Sequence, residues 1–233
     1  MTLRERILNL LFPPKCPFCG RVGETAGVCV ACEKALPWTA AGETLRPGSL
    51  RCAAPLWYED LARDGILRLK FGHAAASAEP LGALLARCAA AEFGGEFDMV
   101  TWVPVSRKRL KQRGYDQAEL LSRAACRLWD TKPVPLLEKP VDNPAQSGIR
   151  DAAARRANVL GVYELLPGVD LTGRKILLID DVCTTGATLA ECVRMLGEAG
   201  AESVVCAAVA FAREKRNAKP GHCESSLKKR GIL

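Results

Sequence analysis

Two adjacent carboxylates, Asp180 and Asp181, stand between an apolar run and a short loop rich in hydroxyl groups. The run, residues 176–179, is apolar at every position, which is typical of a strand buried on both faces of a parallel sheet. Gly186 provides the backbone freedom that a tight turn needs. The two carboxylates suit sugar hydroxyls or a magnesium ion, because magnesium prefers oxygen ligands.

The loop after the two acids has the composition of an anion site. The first N–H groups of a helix lack intrahelical partners, and with nearby hydroxyls they form a cradle for a phosphate group. A ligand that carries phosphate, ribose and metal-bound oxygens fits this combination. A generic strand–turn–helix unit is the alternative, and the paired acids argue against it. The residues predicted to bind the phosphate are Thr184, Thr185, Gly186, Ala187 and Thr188.

This segment resembles the phosphoribosyl-diphosphate (PRPP) loop of type I phosphoribosyltransferases. The wider chain, about residues 10–212, resembles the ComF family, whose members join such a domain to a small cysteine-rich N-terminus. The resemblance implies binding of PRPP with Mg and transfer of its phosphoribosyl group to an acceptor base or nucleotide, with release of pyrophosphate. Asp180 and Asp181 would be the catalytic pair, binding the ribose hydroxyls directly or through metal-bound water and favouring positive charge at the anomeric carbon.

The ComF resemblance also implies a link to natural competence and DNA uptake. An alternative function is therefore a non-catalytic protein that binds single-stranded DNA, or contacts DNA-uptake proteins, through the cysteine module and a basic surface. The net charge of +7 favours polyanionic partners of either kind, nucleic acid or a phosphorylated small molecule.

Five of the eight residues from 106 to 113 are basic. Such a run is ordinarily a solvated helix or loop, but it directly follows a predicted strand, so a parallel sheet would place it beside the phosphate loop. Here the chain resembles the ComF pattern Val-Pro-Val followed by Arg-Gly-Tyr-(Asn/Asp)-Gln. Asp116 stands where the family more often has asparagine and is not assigned as a ligand. The resemblance implies pyrophosphate binding by Ser106, Arg107, Lys108 and Arg113.

Residues 143–159 form a third block with family character. Composition alone indicates a polar loop and a short basic helix, with helix capping and surface charge as ordinary roles. The resemblance implies instead that this part forms a hood over the active site. The hood residues would be Gln146, Arg150 and Arg156.

Two Cys-x2-Cys pairs, nine residues apart, lie near the N-terminus. Each pair bends so that both thiolates reach one ion, and two pairs complete a tetrahedral zinc site without an open position, which is typical of structural zinc. Redox dithiols and an accidental cluster are the alternatives. The cluster could serve as a structural cap or as a contact for a partner or DNA. The predicted ligands are Cys16, Cys19, Cys29 and Cys32.

Strands alternate with helices after residue 51, which indicates an α/β fold with a parallel sheet flanked by helices, as in type I phosphoribosyltransferases, plus a small N-terminal zinc ribbon. We expect a short N-terminal helix, the zinc module and a linker in residues 1–50, the phosphoribosyltransferase-like domain in 51–212, and a basic, flexible tail in 213–233. The predicted strands are 54–58, 98–105, 159–165, 175–179 and 203–210, and the predicted helices are 61–71, 79–93, 116–129 and 188–199.

The sequence also predicts the compartment. Eleven cysteines, an odd number, fit poorly with a disulfide scaffold, so reducing cytoplasm is favoured. No apolar run approaches the ~20 residues that span a bilayer. The first twelve residues carry Arg4, Glu5 and Arg6 and do not resemble a signal peptide.

Overall fold

The computed structural model describes residues 13, 15–23, 27–40, 44–45, 50–72, 74–142 and 161–213. Three predictions lie outside these ranges: the N-terminal helix, the basic tail, and the hood residues Gln146, Arg150 and Arg156.

The described residues form helices and strands that largely alternate along the chain. In order they are α1 (Val30–Ala35), β1 (Thr44–Leu45), β2 (Cys52–Ala53), β3 (Leu56–Trp57), α2 (Asp60–Phe71), a 3-10 turn (Ala75–Ser77), α3 (Ala78–Phe93), β4 (Met99–Trp102), α4 (Arg107–Arg113), α5 (Gln117–Leu128), β5 (Leu137–Glu138), β6 (Glu164–Leu165), β7 (Lys175–Cys183), α6 (Ala187–Glu198) and β8 (Ser203–Phe211).

The main sheet is parallel apart from one short edge strand. Its strand order is β1-β2-β8-β7-β4, and β3 also pairs with β8, in line with β2. Strands β2, β3, β8, β7 and β4 run in the same direction, while β1 pairs with β2 antiparallel. The loops that follow the parallel strands therefore emerge at one edge of the sheet, where ligands bind in folds of this class.

The central strands bury side chains on both faces, as their unbroken apolar sequence predicts. In β7, Leu177 and Ile179 pack into one core cluster, which also holds buried residues of α2, α3 and α5. Ile176 and Leu178 alternate with them and pack into the second cluster, which includes buried residues of α6. The period of two residues thus assigns neighbouring side chains to opposite layers.

The structure confirms the predicted fold class, but several elements differ in detail from the sequence prediction. Strand β4 covers only Met99–Trp102 of the predicted residues 98–105. Residues 54–58 hold only β3, because the edge strand beside β8 is interrupted between β2 and β3. Strand β6 lies in a separate two-stranded antiparallel sheet with β5, outside the main sheet. Strand β7 extends to Cys183, because its pairing with β8 continues through Cys183 opposite Phe211.

None of the helices in the described ranges combines the length and the apolar character that crossing a membrane requires.

Candidate functional site

The two acids lie in the second half of β7. The backbone N–H of Asp181 donates to Asp180 Oδ1 at 2.7 Å, which fixes the orientation of the first carboxylate. Both residues are intermediate in burial, and 14% of the Asp181 side chain remains exposed. Burial, and then the neighbouring charge of Asp181, raises the pKa of Asp180 to about 8.

A lysine from another element balances the second acid. Lys70, near the end of α2, places its Nζ 2.8 Å from Asp181 Oδ1, with 20% and 14% of the two side chains exposed. Burial disfavours the charge of Lys70, but the attraction to Asp181 outweighs it and raises the lysine pKa. The sequence analysis missed this residue, because Lys70 lies 111 positions before its partner and looks like an ordinary C-terminal helix lysine.

The predicted phosphate loop follows β7 directly. Gly186 has φ of +73° and occupies the position before α6, so the turn uses a conformation that glycine adopts without strain. Helix α6 begins at Ala187 with no side-chain cap, and its first N–H groups face this turn. The hydroxyl Oγ1 of Thr185 is buried and has no hydrogen-bond partner among the described residues.

A buried hydroxyl without a partner costs free energy, unless a ligand completes it. The donors of the loop are therefore consistent with a bound phosphate, and the adjacent acids with sugar hydroxyls. All five predicted loop residues lie together here: Thr184, Thr185, Gly186, Ala187 and Thr188.

The basic segment forms α4 and divides into two groups. Arg107 and Lys108 are exposed over 82% and 67% of their side chains and pair with Glu138 and Asp142 at 3.4 and 3.3 Å. Ser106 is buried and caps the helix, since its hydroxyl accepts from Arg109 N and donates to Asp142 Oδ1 at 2.5 Å.

Arg113, at the other end of α4, lies on the side of the acids. Its guanidinium stacks 4.9 Å from the ring centre of Phe71 and donates to Gln117 Oε1 at 2.6 Å. Burial lowers the pKa of Arg113, and the charge of Asp181 opposes that effect. Arg113 is thus a predicted pyrophosphate residue whose charge interacts with that of Asp181 in the free protein.

Asp116 has a structural role that sequence analysis did not identify. Its Oδ1 accepts the N–H groups of Ala118 and Glu119 at the start of α5, and its Oδ2 accepts from Val105 N at 2.8 Å. The Asp116 carboxylate therefore connects the segment that follows β4 to the start of α5. An aspartate directly before an amphipathic helix is itself a capping signal.

The four predicted zinc ligands lie together at the start of the chain. The sulfur atoms of Cys16, Cys19, Cys29 and Cys32 all lie within 4.8 Å of one another. The distance between Cys19 Sγ and Cys29 Sγ is 3.7 Å, close to the edge of about 3.8 Å that a tetrahedron with Zn–S bonds of about 2.3 Å requires. The donor set and its spacing therefore fit a structural zinc ion.

The backbone around Cys16 favours the thiolate form of this residue, whereas burial and the neighbouring cysteines raise the pKa of Cys32. Burial raises the pKa of Cys16, but the N–H groups of Cys29, Cys19 and Phe18 more than offset burial and lower it to about 6. Thiolate is the form that binds zinc. We call residues 15–23 the zinc knuckle.

The zinc knuckle packs on the main core. Cys16, Phe18 and Cys32 belong to the same buried cluster as Ile66 and Leu69 of α2. All ten cysteines within the described ranges carry free thiols.

Comparisons with known protein families match two parts of the chain. Residues 142–230 match the phosphoribosyl transferase domain, which includes the acidic pair and the phosphate loop. Residues 7–64 match the double zinc ribbon domain, which includes the four cysteines. The second match extends into α2, the helix on which the zinc knuckle packs.

Individual relatives agree with these two matches. The chain is 33% identical to "Competence protein F" of Haemophilus influenzae over 103 residues, or 44% of this chain and 45% of the relative. It is 31% identical to the "DNA utilization protein YhgH" of Escherichia coli K12 over 112 residues, or 46% of each. The matched segments thus span slightly less than half the length of these relatives.

Among solved structures, the glutamine PRPP amidotransferase from B. subtilis, complexed with ADP and GMP, is similar with a TM-score of 0.37 and 24% identity. This similarity covers 57% of the present chain and 26% of the amidotransferase chain. The sequence matches confirm the predicted resemblance to the ComF family: the chain is similar to competence protein F over slightly less than half of its length, and two of its segments match a double zinc ribbon domain and a phosphoribosyl transferase domain.

Proposed function

We propose that this protein binds PRPP with magnesium and transfers the phosphoribosyl group to an acceptor base or nucleotide, releasing pyrophosphate. The observation that carries the proposal is the buried, unpartnered Thr185 hydroxyl, which lies in the loop directly after the two partly buried carboxylates of β7. A phosphate on a sugar would use both features at once.

The ligand would lie across the carboxyl edge of the sheet. Its 5′-phosphate would accept the hydroxyl of Thr185 and the N–H groups at the start of α6. Asp180 and Asp181 would accept the ribose hydroxyls, either directly or through metal-bound water. Arg113, which already lies in the field of Asp181, would face the departing pyrophosphate. The remaining predicted pyrophosphate residues, Ser106, Arg107 and Lys108, would need to exchange their present partners to reach it.

The reaction requires no nucleophile from the protein. The bond between the anomeric carbon and the pyrophosphate oxygen breaks, positive charge develops on the ribose ring, and the acceptor nitrogen forms the new bond. Two carboxylates beside the ring favour this charge electrostatically, and holding both substrates in place lowers the entropic part of the barrier. Bound magnesium would supply charge neutralisation of the pyrophosphate leaving group.

Calorimetry of PRPP in the presence of magnesium tests the proposal. We expect wild type to bind and Asp181→Asn to bind at least tenfold more weakly, because the variant keeps the shape but loses the charge. Glu202→Gln is the matched control, since Glu202 also pairs with a lysine, at 3.4 Å from Lys175, at the opposite end of β7. Absence of binding by wild type, or equal binding by Asp181→Asn, contradicts the proposal.

A second candidate function is DNA binding, which the names of the related proteins favour. Competence and DNA utilization both involve DNA, and this chain has a net charge of +7. Binding through lysine and arginine would weaken steeply with salt. Negligible affinity of the zinc-loaded protein for a single-stranded oligonucleotide at 50 mM salt would exclude this function.

We also propose a cytoplasmic location, in agreement with the free thiols.

A further inference from the structure

Helix α2 connects the zinc knuckle to the acidic pair. The middle of the helix contacts the knuckle, and its C-terminal end holds Asp181. These two contacts are five residues apart on one helix, which corresponds to about 7.5 Å along its axis.

The contact with the knuckle depends on a close approach of the Phe18 ring to the backbone of α2. Phe18 is fully buried. A Cβ atom added to Gly65 would lie 2.6 Å from Phe18 Cδ1, so only glycine allows the ring this position. Arg68 Nη1 donates to the carbonyl oxygens of Phe18 and, at 3.4 Å, of Pro17. Shape and hydrogen bonds therefore both fix the helix against the knuckle.

The far end of α2 is fixed by polar contacts at the site. Lys70 pairs with Asp181 at 2.8 Å, and both side chains are largely shielded from solvent. The hydroxyl of Tyr115, from the loop between α4 and α5, donates to the carbonyl of Leu69 at 2.7 Å. A helix is stiff over this short distance, so a displacement at Gly65 is transmitted to Lys70.

We propose that Lys70 is a positioning residue for Asp181, and that the zinc knuckle sets the position of Lys70 through α2. The ammonium group of Lys70, fixed at the end of α2, attracts the Asp181 carboxylate and holds it in a single orientation beside the Asp180 carboxyl. The inference deepens the proposed function and rests on it, because PRPP is the ligand that Asp181 is proposed to bind. Zinc occupancy and PRPP affinity are then thermodynamically coupled.

Four variants isolate the two contacts without touching the fold. Arg68→Met removes the hydrogen bonds to the knuckle, and Arg63→Met makes the same change at an exposed position of α2, where the arginine pairs with Asp64 at 3.7 Å. Lys70→Met removes the cation at Asp181, while Lys70→Arg keeps it. Arg63 and Arg68 are both exposed, so neither change leaves a cavity.

Calorimetry of PRPP with magnesium gives the first readout. We expect Arg68→Met to weaken binding about 2- to 30-fold, the usual range for coupling through a packed element. Arg63→Met leaves affinity unchanged, Lys70→Met weakens it at least as much as Arg68→Met, and Lys70→Arg recovers most of it. The double variant Arg68→Met/Lys70→Met binds as Lys70→Met alone, because the knuckle acts through the lysine. Additive losses in the double variant would overturn the inference.

Hydrogen exchange gives a second readout that needs no ligand. In Arg68→Met we expect faster exchange at the amides of Lys70 and Phe71, with no change in α6. Unchanged exchange at the end of α2 would also overturn the inference, whether or not PRPP binds. Absence of PRPP binding by wild type, together with faster exchange in Arg68→Met, would instead refute the proposed function and leave the link between knuckle and helix supported.

Discussion

At the scale of single residues, two threonines stand out because their buried hydroxyl groups lack a hydrogen-bond partner among the described residues. Thr185 Oγ1 and Thr101 Oγ1 are the buried side-chain polar atoms of the described residues that lack a hydrogen-bond partner. Thr185 lies in the phosphate loop, whereas Thr101 is buried in the middle of β4. Only the first stands where a ligand would satisfy it.

This difference predicts that two matched substitutions have different effects on PRPP affinity. Thr185→Val keeps the shape but removes the hydroxyl, so we expect PRPP affinity to fall roughly tenfold or more, with the free energy of unfolding unchanged or slightly higher. Thr101→Val should stabilise the protein similarly and leave affinity unchanged. Denaturant unfolding and calorimetry measure the two quantities. Equal PRPP affinity of wild type and Thr185→Val would show that the loop does not hold the phosphate through this hydroxyl.

The raised pKa of Asp180 predicts a pH dependence of binding. With a pKa of about 8, most of this carboxyl is protonated at neutral pH in the free protein. If PRPP binds to the carboxylate form, binding releases a proton, so affinity increases as pH rises and levels off above the pKa. Calorimetry between pH 6 and about 9 should show this rise in wild type and a smaller one in Asp180→Asn. The titration of the ligand's own phosphates is common to both proteins, so parallel profiles would contradict the prediction.

Helix packing behind the sheet decides how rigidly the site is held at the scale of elements. Helices α3 and α5 touch at Gly82, where an added Cβ would lie 2.5 Å from Ala124 Cβ and 2.8 Å from the carbonyl oxygen of Leu121. Asp116 caps the start of α5, and it also accepts a hydrogen bond from Val105 N in the segment that follows β4. The close contact at Gly82 therefore holds α5 in place, and α5 in turn supports the basic segment, residues 106–113, next to the site.

Two glycine-to-alanine changes in helices test this packing. Gly82→Ala should lower the free energy of unfolding by about 1–3 kcal/mol, because backbone atoms must move apart. Gly197→Ala in α6 has nothing within 4 Å of the new Cβ, and should raise stability by up to ~1 kcal/mol through helix propensity. Urea denaturation of both variants measures the difference. A neutral Gly82→Ala variant would mean that the helix pair separates without cost.

At the scale of the whole molecule, the zinc knuckle and the central sheet share one hydrophobic core. The zinc knuckle contributes Cys16 and Phe18 to the cluster that also holds Leu177 and Ile179 of the central strand. The zinc site is thus part of the phosphoribosyl transferase core in space, although it lies more than 100 residues away along the chain. Loss of the metal should therefore affect global stability.

Cys16→Ser should lower the thermal midpoint by roughly 5–10 °C, since it removes one ligand of a site that supplies folding free energy. A chelator should produce a similar shift in wild type and none in the variant. Cys88→Ser is the control, because Cys88 is a half-buried thiol outside the cluster. An equal midpoint for wild type and Cys16→Ser would show that the zinc module does not stabilise the core.

The sequence by itself determined the features whose physical cause is local. The apolar run of β7, the glycine turn before α6 and the paired Cys-x2-Cys spacing each depend on neighbouring residues, and each is found as predicted. The longer β7 was not predicted, because Asp180 and Asp181 are polar and extend the strand only through pairing with β8.

Only the tertiary structure decided which distant side chains meet. Lys70 reaches Asp181, Arg113 separates from Arg107 and Lys108, and Phe18 packs against Gly65, because the fold brings α2 and α4 to the carboxyl edge of the sheet and the zinc knuckle onto α2. Spacing along the chain carries no information on such pairs. Strand order, and the apolar face that each helix turns towards the core, determine which distant side chains become neighbours.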